Sequence, residues 1–371
     1  MSEINSYQKL IDRIRNWFLP LPDSDLLIPI LKLLYSAEEA EFLSSVPLIF
    51  HSSKVLSRKL GIPLTELTKK LDSFAERGLL YRYEIGKKIQ YRLADSMLAI
   101  FRTPWWKDED KKVKLASLAN QYYINTFASE FLVRSRSLRS VPINQTIRSD
   151  HKIIPYEDII NLIDTFDYYS LTNCACRTRH NVDPNFEESK YPTNVCLHFD
   201  DFGRSIVKMG FAKELSKEEV LDVLKRAADA GLVHAIEPVI SEADTLCNCD
   251  KDYCLFFEKV KMEGRVPIGT QISDYIREWA DEEKCIKCGL CAKRCPMEAI
   301  LFDKEQKEIN FIRELCIGCG VCVHKCPKDA ICLEKRPGEE VFYPSNGLEA
   351  GKLMMEDTGL DLPKIIKDNT L

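Results

Sequence analysis

The chain has 371 residues, of which 45% are hydrophobic and 29% are charged, and its formal net charge is -5. This composition is that of a folded chain and excludes dominant disorder, while the length predicts about two or three domains. The net charge gives no overall reason to expect binding to nucleic acid or to an anionic membrane. The sequence contains no apolar run of about 18 residues and no signal-peptide core at its start, so we expect a cytoplasmic protein without membrane insertion.

Residues 1–101 are predicted to form a winged-helix-like domain with flanking helices. Between residues 51 and 95 the pattern is helix, turn, helix and hairpin, with leucines that repeat at three and four residues. The hairpin is predicted to turn at Gly86 and Lys87, because its two arms alternate polar and apolar residues. The leucine and isoleucine stripe before residue 50 is expected to complete the core of this domain.

The local charge of this domain differs from that of the whole chain. Between Lys54 and Arg92, ten Lys and Arg residues face four Asp and Glu residues, an excess of six positive charges. Duplex DNA binding is one interpretation, with the second helix in the major groove and Lys87 and Lys88 on phosphates. The other interpretation, a winged helix reused as a docking module, is favoured because the second helix has balanced charge and one small wing makes a weak DNA footprint.

Residues 102–150 are predicted to form a helical connector. The pair Trp105 and Trp106 precedes a run of mixed charges. This combination predicts an amphipathic hinge rather than a cofactor-binding element.

Residues 151–270 are predicted to form a cysteine-rich metal domain. All fifteen cysteines of the chain lie between Cys174 and Cys332. In a reducing compartment, thiolate-bound metal explains such a set better than disulfides do. The upstream group comprises six cysteines, in the order Cys174, Cys176, Cys196, Cys247, Cys249 and Cys254.

Two CxC pairs that each follow a polar turn are typical of distant loops that converge on one metal. We therefore predict a third metal site that uses about four of these six thiolates, as an iron-sulfur cluster or, less favoured, as a zinc site. Reduced structural cysteines and a redox-switching dithiol are the alternatives. His180 and His198 are not favoured as ligands. Arg177 and Arg179 either offset thiolate charge or form a solvated basic turn.

A helix followed by a strand is predicted between these cysteines. Ser216 and Glu219 form a capping box at the start of the helix, and Gly231 ends it. We expect this helix to act as a scaffold that brings Cys196 close to the later CxC pair.

Residues 271–336 contain an internal duplication. CIKCGLCAKRCP begins at Cys285, CIGCGVCVHKCP begins at Cys316, and both fit CxxCxxCxxxCP. Each cysteine of the first run has a counterpart 31 residues later, and the Ala299-Ile300 and Ala330-Ile331 pairs keep the same offset. The repeat predicts two copies of one unit packed about a pseudo-twofold axis.

This spacing suits a pair of 4Fe-4S clusters. Three cysteines at intervals of three wrap a tight loop around three irons, glycines let backbone amides approach the sulfurs, and the fourth cysteine, held before a proline, crosses to the other cluster. We predict that cluster 1 is bound by Cys285, Cys288, Cys291 and Cys326, and cluster 2 by Cys316, Cys319, Cys322 and Cys295. A zinc domain is not favoured, because zinc needs no doubled motif of this kind. Cys332 lies outside the repeat and is predicted to be a buried apolar cysteine.

From about Glu283 to Leu333 the sequence resembles the two-cluster bacterial ferredoxins. In its order of parts the chain is similar to a family of iron-sulfur proteins of anaerobes, with a winged-helix-like N-terminus, a CxCR and CNC cysteine region and a C-terminal two-cluster ferredoxin. Relatives often read CNCC where this chain has CNCDKDYC, with Asp250 in place of a further cysteine. The resemblance implies low-potential transfer of single electrons.

We therefore expect a multidomain α+β protein that ends in a partly ordered, extended tail over residues 337–371. Its expected function is to relay electrons to or from an oxidoreductase partner that is not identified. A catalytic site in this chain alone is not indicated, because no phosphate-binding glycine loop, HExxH motif or nucleophile with a base is found. The alternatives are a redox-responsive winged-helix transcription regulator and a reductase with its active site at the upstream cysteines.

Overall fold

The computed structural model combines helices and strands, consistent with the predicted α+β class. It describes residues 3–15, 17, 21–85, 88–107, 112–128, 139–142, 159–237, 239, 243–255, 257, 272–337, 343–358 and 362–369. Within these ranges the strands form a three-stranded sheet, a six-stranded sheet and two two-stranded sheets. No helix among the described residues is both long and apolar enough to cross a membrane.

The N-terminal part has the predicted order of two helices and a hairpin. Its elements are α1 (Glu3–Arg15), α2 (Leu27–Leu34), α3 (Ala37–Ser44), β1 (His51–Ser52), α4 (Ser53–Leu60), α5 (Leu64–Glu76), β2 (Leu80–Ile85) and β3 (Lys88–Leu93). The strands are antiparallel in the order β1-β3-β2. Leu56, Leu67 and Leu71 are fully buried, because their helical spacing points them to one side. The predicted turn at Gly86 and Lys87 lies outside the described residues.

The connector contains a short strand in addition to its helices. Its elements are a π-helix (Met97–Arg102), a 3-10 turn (Thr103–Trp105), α6 (Val113–Tyr122), a second π-helix (Tyr123–Phe127) and β4 (Arg139–Ser140). The short strand β4 pairs with a later strand of the six-stranded sheet, at Ile236 and Ala235. The prediction of an all-helical connector is therefore wrong for this strand, which is too short to leave a periodic signal in the sequence.

The two tryptophans of the connector belong to the core. Trp105 and Trp106 are only 2% and 4% exposed. The indole of Trp105 donates to the Ile100 carbonyl oxygen at 2.9 Å, and the ring of Trp106 packs against His198 and Phe202, with centroids 5.2 and 6.3 Å apart. The prediction of a hinge is wrong, because burial of side chains of this size stabilises a fixed arrangement by roughly 2 to 3 kcal/mol each.

The middle part is an antiparallel sheet with helices. Its elements are α7 (Ile159–Ile163), β5 (Tyr169–Thr172), α8 (Ala175–Val182), β6 (Cys196–Phe199), α9 (Asp200–Lys208), β7 (Lys213–Leu215), α10 (Lys217–Ala230), β8 (Val233–Ile236) and β9 (Thr245–Cys249). The strand order is β4-β8-β9-β6-β5-β7. The predicted helix is confirmed as α10, with the capping box of Ser216 and Glu219 and with Gly231 at φ 95°.

The C-terminal part repeats one unit. Its elements are β10 (Tyr275–Trp279), α11 (Leu290–Arg294), β11 (Ile300–Asp303), β12 (Glu308–Phe311) and β13 (Ile331–Lys335), with antiparallel pairs β10-β13 and β11-β12. Lys287 and Gly289 have positive φ angles, and so do Gly318 and Gly320, their counterparts 31 residues later. The two loops therefore repeat their backbone conformation as well as their cysteines.

The tail is largely helical where it is described. It forms α12 (Gly347–Thr358) and α13 (Leu362–Asn369). The Asn346 side chain accepts a hydrogen bond from the Glu349 amide at 3.0 Å, which satisfies one free donor of the first turn. Upstream of α12, the Tyr343 hydroxyl donates to Asp274 at 2.8 Å. The expectation of an extended tail is wrong for these residues, because the segment contains helix-forming residues and the cap at Asn346.

Candidate metal centres

The first four-cysteine set surrounds one hollow in the C-terminal part. The hollow contains about 380 Å³ of space free of protein atoms. Its lining includes Cys285, Cys288, Cys291 and Cys326, together with Trp279, Ile309 and Ile331. These are the four cysteines that the spacing assigned to cluster 1, so we call it the cluster 1 hollow.

The second set surrounds a hollow of similar size, with about 330 Å³ free of protein atoms. Its lining includes Cys295, Cys316, Cys319 and Cys322, together with Arg277, Phe311 and Ile317. We call it the cluster 2 hollow. In each hollow one cysteine comes from the other run, and this is the crossed arrangement expected from the sequence.

Backbone amides point at the crossing cysteines in equivalent ways. The Ala299 amide donates to the sulfur of Cys295 at 3.3 Å, and the Ala330 amide donates to the sulfur of Cys326 at 3.4 Å. Amide donors of this kind stabilise thiolate sulfur. Apolar walls, four thiols and a backbone amide donor in each hollow fit a 4Fe-4S cluster, which would be held by the four cysteines of that hollow.

Glycines are required where the cluster loops pack tightly. A Cβ on Gly289 would lie 2.3 Å from Phe302, and a Cβ on Gly318 would lie 2.1 Å from the Tyr275 carbonyl oxygen. Both residues also have positive φ angles, near 70°. The loops can approach the strands this closely only because these positions carry no side chain.

The two hollows differ in exposure. Cys288 is exposed and the neighbouring Ile286 is 56% exposed, so the cluster 1 hollow reaches the surface. Cys322 is buried, and burial raises its pKa well above the usual range. Burial also raises the pKa of Cys295. Without a metal these thiols resist ionisation, whereas a bound cation would favour their thiolate form.

The six upstream cysteines lie close together in the fold. Hydrogen bonds link four pairs of thiols, namely Cys174 with Cys176, Cys196 with Cys247, Cys247 with Cys249, and Cys249 with Cys254. Cys176 also lies within electrostatic range of Cys254, which connects the two ends of this series. We call this arrangement the six-thiol site.

Strand pairing explains how distant cysteines meet. Leu197 of β6 is the register partner of Leu246 of β9, and this places Cys196 beside Cys247. The sequence assigned this task to α10, whereas the direct pairing of the two strands performs it. At the start of α8, the Cys174 amide donates to the Thr193 carbonyl oxygen at 2.6 Å.

Two buried arginines act on the thiols of the six-thiol site. Arg177 and Arg179 are both 0% exposed, so the alternative of a solvated basic turn is wrong. Arg177 donates from Nη1 to the Asn248 carbonyl oxygen at 3.1 Å, while its Nε and Nη2 have no hydrogen-bond partner among the described residues. Its charge acts on Cys174, Cys249 and Cys176.

The half-buried Arg102 also acts on the site. Its charge acts on Cys247 and Cys196 and on the nearby carboxyl of Glu237. Sequence analysis did not select this residue, because it belongs to the connector and lies far from any cysteine along the chain. A lone arginine at the end of an apolar run, MLAIFR, was the only available signal.

Two of the six thiols have strongly lowered pKa values. Donation from the Cys176 thiol, followed by the charge of Arg177, lowers the pKa of Cys174 to about 5 against the opposing effect of burial. Donation from Cys196 and Cys249, together with Arg102, lowers the pKa of Cys247 to about 5. The site therefore holds thiolates at neutral pH, and thiolate is the form that binds metals.

His198 forms a hydrogen bond with Cys196, and both histidines near these cysteines also contact other residues. Both ring nitrogens of His198 form hydrogen bonds of 3.0 Å, one to Thr172 and one to Thr245. His180 is buried and stacks on Tyr253, with centroids 4.9 Å apart. Burial and then the charge of Arg179 lower the pKa of His180 to about 3.

In the described part of the chain, no group of three His, Cys, Asp or Glu side chains is already spaced to hold a single metal ion. Cys332 is buried in β13 and lies 3.9 Å from the Glu278 carbonyl oxygen, outside the lining of both hollows. That position agrees with its predicted role as an apolar core residue.

The comparison with protein families agrees with this geometry. The family model for a 4Fe-4S dicluster domain matches residues 277–327, a range that includes all eight cysteines of the two hollows. A search of curated proteins finds no significant match. The C-terminal part is therefore a ferredoxin-type iron-sulfur domain, and its chemistry is the transfer of electrons.

Proposed function

We propose that the protein relays single electrons between a donor and an oxidoreductase partner through two 4Fe-4S clusters and a third iron-sulfur centre at the six-thiol site. The observation that carries this proposal is the convergence of six thiols beside the cluster 2 hollow. When bound, each cluster supplies a one-electron redox couple. The chain supplies thiolate ligands, amide donors and apolar walls that limit access of water.

Two arginines, the buried Arg177 and the half-buried Arg102, support the third centre. A guanidinium that is removed from water without a partner costs several kcal/mol, so a compensating negative charge is expected close by. Arg177 and Arg102 both face the thiols, and an iron-sulfur centre with thiolate ligands would supply that negative charge. Zinc is less favoured, because in the described part of the chain no three of these side chains are spaced to hold a single metal ion.

The six-thiol site lies next to cluster 2. Lys251, between Cys249 and Cys254, forms an ion pair with Glu298 at 3.9 Å, and Glu298 follows the cluster 2 ligand Cys295. Tyr191 lies within electrostatic range of both Arg177 and Arg294. These contacts favour a path from the six-thiol site to cluster 2.

Further contacts hold this side of the iron-sulfur domain against α10. Arg294 donates to the carbonyl oxygens of Ala228 at 2.8 Å and Asp229 at 3.1 Å, and also to Val321 at 3.1 Å. The Asp229 carboxylate accepts from His324 at 2.9 Å. A fixed junction of this kind favours rapid transfer, because the distance between centres stays constant.

Cluster 1 then forms the outer end of the relay. Cys288 is exposed, whereas Cys322 of cluster 2 is buried. Ile286, beside two cluster 1 ligands, presents an apolar side chain to the surface. We infer that partner proteins exchange electrons with cluster 1 at this surface.

We infer that the winged-helix-like N-terminal part serves docking and not DNA binding. Hairpin strand β2 packs on α9, since the Ser205 hydroxyl donates to the Arg82 carbonyl oxygen and Lys208 pairs with Glu84. Tyr83 lies against Phe202, with ring centroids 6.4 Å apart. Three basic residues of the expected footprint form internal ion pairs, namely Arg77 with Glu39, Arg82 with Asp72, and Arg92 with Asp95.

The test is the iron, zinc and acid-labile sulfide content of the anaerobically purified chain, with an EPR spectrum after reduction by dithionite. We expect about twelve irons for the natural chain and about eight for the double variant Cys174→Ser with Cys247→Ser. Cys332→Ser is the control and should keep about twelve.

About eight irons in the natural chain, unchanged by the double variant, would leave the two-cluster relay and remove the third centre. Zinc without sulfide would remove the whole proposal.

A further inference from the structure

Arg277 is a buried cation in the strand that precedes the first cysteine run. It is 2% exposed and pairs in register with Leu333 across the β10-β13 ladder. Its Nε and Nη2 atoms have no hydrogen-bond partner among the described residues. Glu278, the adjacent carboxylate, is paired with Arg313 instead. Two of the three guanidinium nitrogens therefore have no hydrogen-bond partner among the described residues, and the neighbouring carboxylate is engaged elsewhere.

The guanidinium lies where its charge would act on both clusters. Arg277 lines the cluster 2 hollow together with its four cysteines. Its charge also acts on Cys291, a ligand of cluster 1. Two aromatic rings hold the side chain in place, with Trp279 at 3.8 Å and Phe311 at 5.1 Å from the guanidinium carbon to the ring centroid.

A cluster bound by four thiolates carries net negative charge, and reduction adds one more electron without making or breaking a bond. A fixed positive charge nearby stabilises the reduced form more than the oxidised form, and N–H donors to sulfur act in the same direction. The reduction potential of the nearby cluster consequently rises. This effect is large in a hollow with apolar walls, because little water screens the charge.

We propose that Arg277 donates to a sulfur of cluster 2 and raises the potentials of both clusters, with the larger effect on cluster 2. The inference deepens the proposed relay and rests on it. Electrons that enter at the exposed cluster 1 would then reside preferentially on cluster 2, beside the six-thiol site. Arg277 thus favours electron transfer from cluster 1 to cluster 2.

The experiment is a redox titration of the anaerobic full-length chain, followed by EPR, in Arg277→Leu, Arg277→Lys and the control Arg313→Gln. Arg313 is a suitable control because it is a cation of the same domain that is about half exposed and paired with Glu278. For Arg277→Leu we expect an at least tenfold less favourable reduction of cluster 2, which is about 59 mV for a one-electron couple. Arg277→Lys should retain most of the natural potential, and Arg313→Gln should not change it.

The proposal fails if Arg277→Leu carries its iron and shows unchanged potentials, or if Arg277→Lys shifts them as much as Arg277→Leu does. If Arg277→Leu loses iron, the charge-retaining variant Arg277→Lys decides whether the positive charge is responsible. Natural iron content and potential in that variant support the role of the charge, whereas equal iron loss in both variants overturns it. Iron and sulfide analysis of the natural chain tests the relay separately from Arg277.

Discussion

Glu237 and Asp244 form a half-buried carboxyl pair near the six-thiol site. The Thr245 amide donates to Glu237 at 3.1 Å, and the Thr245 hydroxyl donates to Asp244 at 2.8 Å. Burial, followed by the negative charge of Asp244, raises the pKa of Glu237 to about 8. Arg102 opposes this shift but does not cancel it. The pair therefore holds a proton at neutral pH.

This proton makes the stability of the fold depend on pH. The folded-state pKa of Glu237 lies above its unfolded value, so the associated stability is fully present below about pH 4.5 and is lost as the pH rises through about 8. We expect the free energy of unfolding to fall between pH 6 and 9, and Glu237→Gln to reduce this decrease. Anaerobic urea titrations at several pH values measure the free energy of unfolding of both chains.

Glu349→Gln is the matched control for this change. Glu349 is a half-exposed carboxyl whose pKa is lowered by hydrogen bonds from Ser345. Its replacement should leave the decrease in the free energy of unfolding between pH 6 and 9 as it is in the natural chain. An equal slope in the natural chain and Glu237→Gln would contradict the assignment of the retained proton to Glu237.

At the scale of elements, the cluster loops combine left-handed backbone with close packing. Gly318 has φ 67°, and a Cβ there would meet the Tyr275 carbonyl oxygen at 2.1 Å and the Ser273 hydroxyl at 2.2 Å. Gly61 has φ 66°, yet a Cβ there would meet nothing within 4 Å. A side chain at position 61 would therefore cause backbone strain alone, whereas one at position 318 would cause backbone strain and steric overlap.

We expect Gly318→Ala to displace the cluster 2 loop and to lose iron from that hollow. Gly61→Ala should cost only about 1 to 2 kcal/mol, the penalty of the left-handed conformation, and should keep the natural iron content. Iron content and the midpoint of thermal unfolding measure both effects. Equal behaviour of the two variants would mean that the overlap at Gly318 is relieved by movement of β10.

The elements that local signals define could be predicted, and those that depend on distant partners could not. Ser216, Glu219 and Gly231 mark both ends of α10 within its own sequence. The burial of Trp106 depends on His198 and Phe202, about 90 residues further along the chain. Tertiary packing decides such cases, and a single sequence does not contain that information in readable form.

The same division holds for the candidate centres. The assignment of eight cysteines to two sets follows from short spacings, because each loop is local and the repeat fixes the crossing. The three arginines that face the centres could not be selected so easily. Arg102 reaches the six-thiol site from the connector, and Arg177 offered two equal interpretations until its burial was known. Arg277 interrupts an apolar strand, a signal that a search for buried charges could have used.

At the scale of the whole molecule, the junction between α10 and the iron-sulfur domain decides whether the proposed relay is continuous. Arg294 makes three hydrogen bonds there, one to Val321 in its own domain and two to Ala228 and Asp229 at the end of α10. The Asp229 carboxylate meets Lys225, Lys325 and His324, and these hydrogen bonds hold its pKa well below the usual range. Much of this cation cluster is exposed, so its net contribution is small, whereas Arg294 is half-buried and bonds to backbone carbonyls.

We therefore expect Arg294→Ala to loosen the junction more than the loss of one surface ion pair would. Amide hydrogen exchange should accelerate at the end of α10 and in the loop around Val321, and thermal unfolding should separate into two transitions because the two parts no longer unfold together. Arg226→Gln is the control, since Arg226 lies in the same helix and pairs with Asp222 of that helix. One unchanged cooperative transition in Arg294→Ala, with natural exchange rates at both places, would show that the apolar contacts between the domains hold the relay together without this arginine.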